Sequence, residues 1–184
     1  MNDSVLQAIT RAALDATAAA AGWLLASQGD KLQIVATAGV PPGALLGTKV
    51  PASEGSAGFV IASGQPLALK PSEGDARATG GVSGLLGRRP SSVLCVPCAW
   101  EDTVVGALEL VDKEGAATFS FDDLEVATLL GSIAGTALKD GPSMAPPPPT
   151  PAELARGLAT LAGADPTRYA GVAAMLGALL DAHV

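Results

Sequence analysis

Between Ser91 and Asp112 the chain reads SSVLCVPCAWEDTVVGALELVD, two apolar runs joined by Trp100-Glu101-Asp102-Thr103. Runs rich in Val and Leu that flank a turn-forming segment predict two strands, Val93 to Val96 and Val104 to Val111, paired as a β-hairpin. Both strands are apolar on both faces, and Glu109 is the one charged interruption. A strand of that kind cannot show either face to water, so the hairpin is placed at the centre of a sheet covered on both sides. That single feature rules out an open sheet with one wet face.

The same stretch holds both cysteines, Cys95 and Cys98. On an extended strand a spacing of three turns their side chains to opposite faces, which disfavours a shared metal or a mutual disulfide. Two cysteines are also too few for a disulfide framework. Small buried core residues are the expectation, since free Cys is among the most buried residue types.

The 184 residues suit one domain plus an appendage. Hydrophobic residues make up 48% but aromatics only 3%, so the core must be built from closely packed Ala, Val, Leu and Gly. A net charge of −7 and a pI near 4.5 argue against nucleic acid or an anionic membrane as partner, because both need clustered Lys and Arg. No run of about 18 apolar residues occurs, and Met1-Asn2-Asp3-Ser4 lacks the basic start of a signal peptide. A cytoplasmic location is expected.

Taken in order, Ser4 to Ala21 is predicted as a helix ended by Gly22, with Val5, Ile9, Ala12, Ala16 and Ala20 on one stripe. Leu6, Ala13 and Leu14 lie off it, so the helix needs a second surface to cover. Trp23 to Ser27 and Lys31 to Ala38 form a hairpin through Gln28-Gly29-Asp30. An extended Thr48-Lys49-Val50 precedes a short helix capped by Ser53, with Ala57, Val60 and Ile61 inward and Gly64 at its left-handed end. Glycines at a helix start can hold phosphate, but these match neither GxGxxG nor the P-loop pattern, and close packing on the sheet is expected instead. Leu67 to Lys70 is a strand.

Pro71 to Pro90 reads as a long irregular Gly-rich loop carrying Arg77, Arg88 and Arg89. Such loops serve as lids or as solvated connectors, and arginines on a lid suit an anionic ligand. Past the central hairpin, Ser120-Phe121-Asp122-Asp123 is a capping box, with Phe119 and Leu124 as a hydrophobic staple. The helix it starts runs to about Lys139, with Leu124, Ala127, Gly131, Ala134 and Leu138 on one stripe and Val126, Leu129, Leu130, Ile133 and Ala137 on another. Residues 141–151 contain four consecutive prolines and form a stiff linker. Beyond it, Pro151 to Gly163 and Pro166 to His183 read as two short helices, too small to stand alone.

Three stretches in this order resemble the GAF domain family: EGSAGFVIASGQPLAL (Glu54 to Leu69), SSVLCVPCAWEDTVVGALELVDK (Ser91 to Lys113) and FSFDDLEVATLLGSIAGTAL (Phe119 to Leu138). They carry its G-x-x-G…G-x-P, S-x-L-x-V-P…V-G-x-L-x-L and F-S-x-x-D patterns, and together cover most of residues 4–139. The resemblance implies an α+β fold, an antiparallel sheet of about six strands with the terminal helices on one face and a loop-covered pocket on the other. It divides the chain into a GAF domain at 1–140, a linker at 141–151 and a helical appendage at 152–184. Members of this family sense cyclic nucleotides, tetrapyrroles, metabolites, nitric oxide or redox state, and many dimerise through the first and last helices.

Within that resemblance the ligand classes separate residue by residue. Haem-binding members use an axial ligand, usually His, and the one histidine here is His183, beyond the linker. Bilin attachment needs a cysteine on the pocket-side loop or helix, whereas both cysteines lie in the central strand. The Asn-Lys-Phe-Asp-Glu signature of cyclic-nucleotide binders is missing, and no cluster of carboxylates or histidines suggests a metal. Members that reduce free methionine sulfoxide share a strand similar to Ser92-Val93-Leu94-Cys95-Val96-Pro97, but their loop thiols have no counterpart in Pro71 to Pro90.

The expectation is therefore a non-catalytic sensory module whose unidentified small-molecule effector meets Arg77, Arg88, Arg89, Cys95 and Glu109. Haem, bilin and metal are disfavoured as cofactors. A homodimer is expected through Leu6 and Leu14 of the first helix and Leu129, Leu130 and Ile133 of the last. The competing expectation is an interaction module with a degenerate pocket, whose C-terminal helices recruit a protein partner.

Overall fold

A computed structural model describes residues 2–41, 44–72, 74–139, 151–166 and 169–173. The chain forms two compact units, Met1–Ser143 and Met144–Val184. In the first, the elements follow as α1 (Asn2–Thr17), β1 (Ala19–Gln28), β2 (Lys31–Ala38), β3 (Lys49–Pro51), α2 (Gly55–Ser63), β4 (Leu67–Leu69), α3 (Ala76–Thr79), α4 (Gly81–Leu85), β5 (Val93–Trp100), β6 (Thr103–Lys113) and α5 (Phe121–Lys139). The strands make one six-stranded sheet in the order β3-β2-β1-β6-β5-β4, and every pairing is antiparallel. The expected α+β architecture is observed.

Strand β6 sits at the centre between β1 and β5, which is why a run with no polar face could be placed there. On one side Leu24, Leu94, Val96, Leu108 and Leu110 pack against Leu6, Ile9 and Ala13 of α1 and Ala127, Ala134 and Leu138 of α5. On the other, Trp23, Leu25, Ile34, Val93 and Cys95 pack against Val60 of α2 and Val82 of α4. Cys98 belongs to the first cluster and Cys95 to the second, as the strand parity predicts.

Helix α5 starts at the capping box: Ser120 N donates to Asp123 Oδ2 (2.7 Å) and Asp123 N to Ser120 Oγ (3.2 Å). Its small-residue stripe lies on β5 at backbone contact distance. A Cβ added at Gly135 would stand 2.0 Å from Ala99 O, and one at Gly131 2.8 Å from Pro97 O. Lys113 Nζ bridges Thr17 O (2.8 Å) and Asp123 Oδ1 (2.9 Å), tying the end of α1 and the start of α5 to β6.

Several expectations are corrected. Helix α1 stops at Thr17, and Ala18 takes φ 47 to turn the chain straight into β1. Gly22 is thus a strand residue, and a Cβ there would meet Leu110 Cδ2 at 2.5 Å. The buried stripe of α1 is Leu6, Ile9, Thr10, Ala13 and Thr17, whose hydroxyls are satisfied on Leu6 O and Ala13 O. Leu6 is 0% exposed, contributing roughly 1.5–3 kcal/mol by burial, so it is closed to a dimer contact, and Leu14 is half-buried. Helix α2 begins after Glu54 without a side-chain cap, so Ser53 does not cap it, whereas Gly64 closes it at φ 66 as expected. The segment from Pro71 to Pro90 is not irregular: Asp75 caps α3 by accepting from Arg77 N, and α4 follows directly.

In the second unit α6 spans Pro151–Ala164, and Tyr169 N donates to Asp165 O (3.0 Å) at the start of a further helical turn. The proline run and most of the second expected helix lie outside the described residues.

Candidate functional site

The sheet face under α2 and α4 carries the one buried carboxyl of the strands. In the ladders Glu109 on β6 stands opposite Trp23 on β1 and Cys95 on β5. Residues directly opposite in an antiparallel pair share a face, so indole, carboxyl and thiol lie abreast. Glycine sets the helices above them: Gly55, with φ 71, opens α2 against Gly80, and a Cβ at Gly55 would come 2.7 Å from Gly80 O. That approach brings the first turns of α2 and α4 together over the sheet. Ser56 and Ser83 are both buried there.

Glu109 is 1% exposed. Trp23 Nε1 donates to its Oε2 at 2.5 Å, and Ser56 Oγ is hydrogen-bonded to Oε1. Ser83 Oγ lies near enough to act on the carboxyl, yet it is buried without a hydrogen bond of ordinary geometry. Burial raises the carboxyl's pKa above the ordinary value, while Ser56, Trp23 and Ser83 work in the opposite direction. Burial also pushes the Cys95 thiol well up, with Glu109 and Cys98 adding to it, and raises Cys98 on the far face. Neither thiol is placed to act as a nucleophile at neutral pH.

The sequence-derived site residues divide into three groups. Cys95 and Glu109 are neighbours on this face. Arg77 is exposed and ion-pairs with Asp75 at 3.0 Å, on the rim of an open cleft of about 590 Å³ between α2 and α3 that Phe59, Glu54 and Gly58 also line. Arg88 pairs with Asp112 Oδ2 at 2.5 Å, beyond α4, and Arg89 is exposed. Arg77 and Arg88 are therefore held on separate acidic partners, and none of the three arginines is a hydrogen-bond partner of Glu109. Sequence reasoning missed Trp23, Ser56 and Ser83. The signal for them was indirect: a Glu in an otherwise apolar central strand requires buried donors from other elements. Among the described residues no group of three or more His, Cys, Asp or Glu could hold a metal.

Comparison with known proteins agrees with the geometry. The family model for the GAF domain matches residues 3–139. No curated protein matches significantly. Among solved structures, the chain is similar to the GAF-B domain of DevS from Mycobacterium smegmatis, with 24% identity and a TM-score of 0.59 over 76% of this chain and 93% of that one. It is similar to the GAF domain of an Acinetobacter phosphoenolpyruvate-protein phosphotransferase, with 16% identity and a TM-score of 0.65 over 80% and 87%. It also resembles a type II free methionine-R-sulfoxide reductase from Thermoplasma acidophilum, with 12% identity and a TM-score of 0.61 over 76% and 93%. Identities this low speak for the fold alone. A six-stranded antiparallel sheet between a two-helix layer and a Gly-bounded helical cover, matched by the family model from α1 to the end of α5, makes this chain a member of the GAF domain family.

Proposed function

We propose that the chain is a non-catalytic regulatory GAF module that signals as a homodimer through the outer surface of α5 and α1. One observation carries this reading. Val126, Leu129 and Ile133, spaced by three and four residues, are 38%, 64% and 47% exposed on α5, and Val5 on α1 is 44% exposed. A helix whose small residues already cover the sheet has no other use within its own domain for a second apolar stripe. The absence of catalysis is supported by the thiols, which are buried on opposite faces with raised pKa values.

The dimer is tested by light scattering on the full chain. Twice the chain mass is expected, falling to one chain mass in the Leu129→Glu, Ile133→Glu double variant with the unfolding temperature of the domain retained. A monomeric wild type at high concentration overturns the reading. Effector binding is tested by thermal shift against a metabolite panel, where a ligand present well above its Kd raises the melting temperature.

A second reading, an interaction module with a closed pocket, is favoured by the interior beneath α2 and α4. Trp23, Val60, Val82 and Cys95 are essentially fully buried there by one another. No stabilising metabolite together with partner capture that depends on residues 141–184 would decide for it.

A further inference from the structure

Among the described residues no cation pairs with the Glu109 carboxyl. The elements packed around it supply no cation: β1 (AAAGWLLASQ), α2 (GSAGFVIAS) and α4 (GVSGL) contain no ionisable side chain at all. From β5 the titratable group facing it is the Cys95 thiol, which burial keeps protonated, and Cys98 points into the other layer. On β6 itself, Asp112 is engaged by Arg88 and Ser91, and Lys113 by Asp123. One indole N–H and one serine hydroxyl are hydrogen-bonded to the carboxyl, while a second hydroxyl, Ser83 Oγ, lies buried beside them, near enough to act on it but without a hydrogen bond of ordinary geometry.

These groups can be satisfied in two ways. A neutral carboxyl gives its one O–H to Ser56 Oγ while Trp23 donates to the other oxygen; that oxygen keeps acceptor capacity, but Ser83 Oγ is not aligned to use it. A carboxylate is acceptor-only with room for about four donors, so it can take Trp23, Ser56 and Ser83 together. With no cation near, the ionised form is tolerable only if the third donor arrives. Helix α4 can deliver it as a unit, since this five-residue helix opens on Gly81 at φ 60 and is followed by Gly87 at φ 66.

We propose that Glu109, Ser56 and Ser83 form a proton-binding switch, in which loss of the Glu109 proton to solvent draws Ser83 onto the carboxylate and moves α4 over the sheet. The burial that raises the carboxyl's pKa places this transition above the ordinary carboxylate range. The switch lies on the sheet face opposite to the proposed dimer surface, so it is read out separately and its failure would leave that proposal standing.

The test is an NMR titration of the ¹⁵N-labelled full chain from about pH 4 to pH 9, spanning the ordinary Glu value and the range above it. The chain has two tryptophans, and Trp100→Phe assigns the Trp23 indole resonance. The expected result is that the Trp23 indole N–H and the Ser83 backbone amide move together, with one midpoint above the usual carboxyl value. Glu109→Gln abolishes both shifts and Cys95→Ala preserves them. Ser83→Ala keeps the indole titration and loses the α4 response, which decides the matter even if the Gln variant does not fold. An indole resonance that does not titrate, a Ser83 amide that stays still while the indole moves, or an undiminished titration in Glu109→Gln overturns the proposal.

Discussion

At the scale of single residues, two carboxyls act on stability with opposite sign. The Glu109 carboxyl binds its proton more tightly folded than unfolded, so its stabilising contribution is fully present below the ordinary value of 4.5 and is lost as pH rises through the higher folded value. Asp123 is the reverse case. Burial alone would raise its pKa, but the hydrogen bonds from Ser120 and Lys113 outweigh that and hold it below 3.8. Its contribution is present above that value and is lost as pH falls through the folded one. We therefore expect Glu109→Gln to flatten the decline in melting temperature on the alkaline side of 4.5 and leave the acid limb unchanged, as measured by calorimetry across pH. Glutamine keeps an acceptor for Trp23 and a donor for the serines. Alanine instead orphans the buried donors, at roughly 1–3 kcal/mol each, and lowers stability at every pH.

At the scale of elements, glycine decides how closely α5 lies on β5. Ala99 O is a backbone atom and cannot swing away, so the Cβ of Gly135→Ala, 2.0 Å from it, forces the helix off the strand. Overpacking of that kind costs roughly 1–3 kcal/mol, and a chain of this size loses about 2–4 °C of melting temperature per kcal/mol. Gly157 on α6 is the control: nothing lies within 4 Å of a Cβ there. Gly157→Ala should be neutral or gain up to about 1 kcal/mol from helix propensity, as read by circular dichroism. Loss of stability at position 157 matching that at 135 would refute the close-packing argument. The stripe of small residues on α5 was legible in the sequence because its period is helical. The end of α1 was not, because the alanines at 18 to 21 fit a helix as well as a strand, and only pairing with β6 decides for the strand.

At the scale of the whole molecule, the unit Met1–Ser143 has its own two-sided core, and truncation after Ser143 should leave one cooperative unfolding transition at an unchanged midpoint. A lower midpoint or a broadened transition in differential scanning calorimetry would show that residues 144–184 contribute to that core.

The sequence by itself determined the central hairpin, the opposite faces of Cys95 and Cys98, the capping box at Ser120 and the family, because alternation, helical period and cap chemistry are local properties of the chain. It also marked Glu109 as the one charge within the two apolar runs of that hairpin. Only the tertiary structure decided what surrounds it. Trp23, Ser56 and Ser83 come from three elements 86, 53 and 26 positions away, and no periodicity reaches across such separations. The same holds for the arginines: one segment of the sequence, Pro71 to Pro90, carries all three, but Asp75 and Asp112 hold two of them at separate places. The polar centre of this protein is a consequence of sheet register and glycine-permitted helix contact, which exist only once the chain has folded.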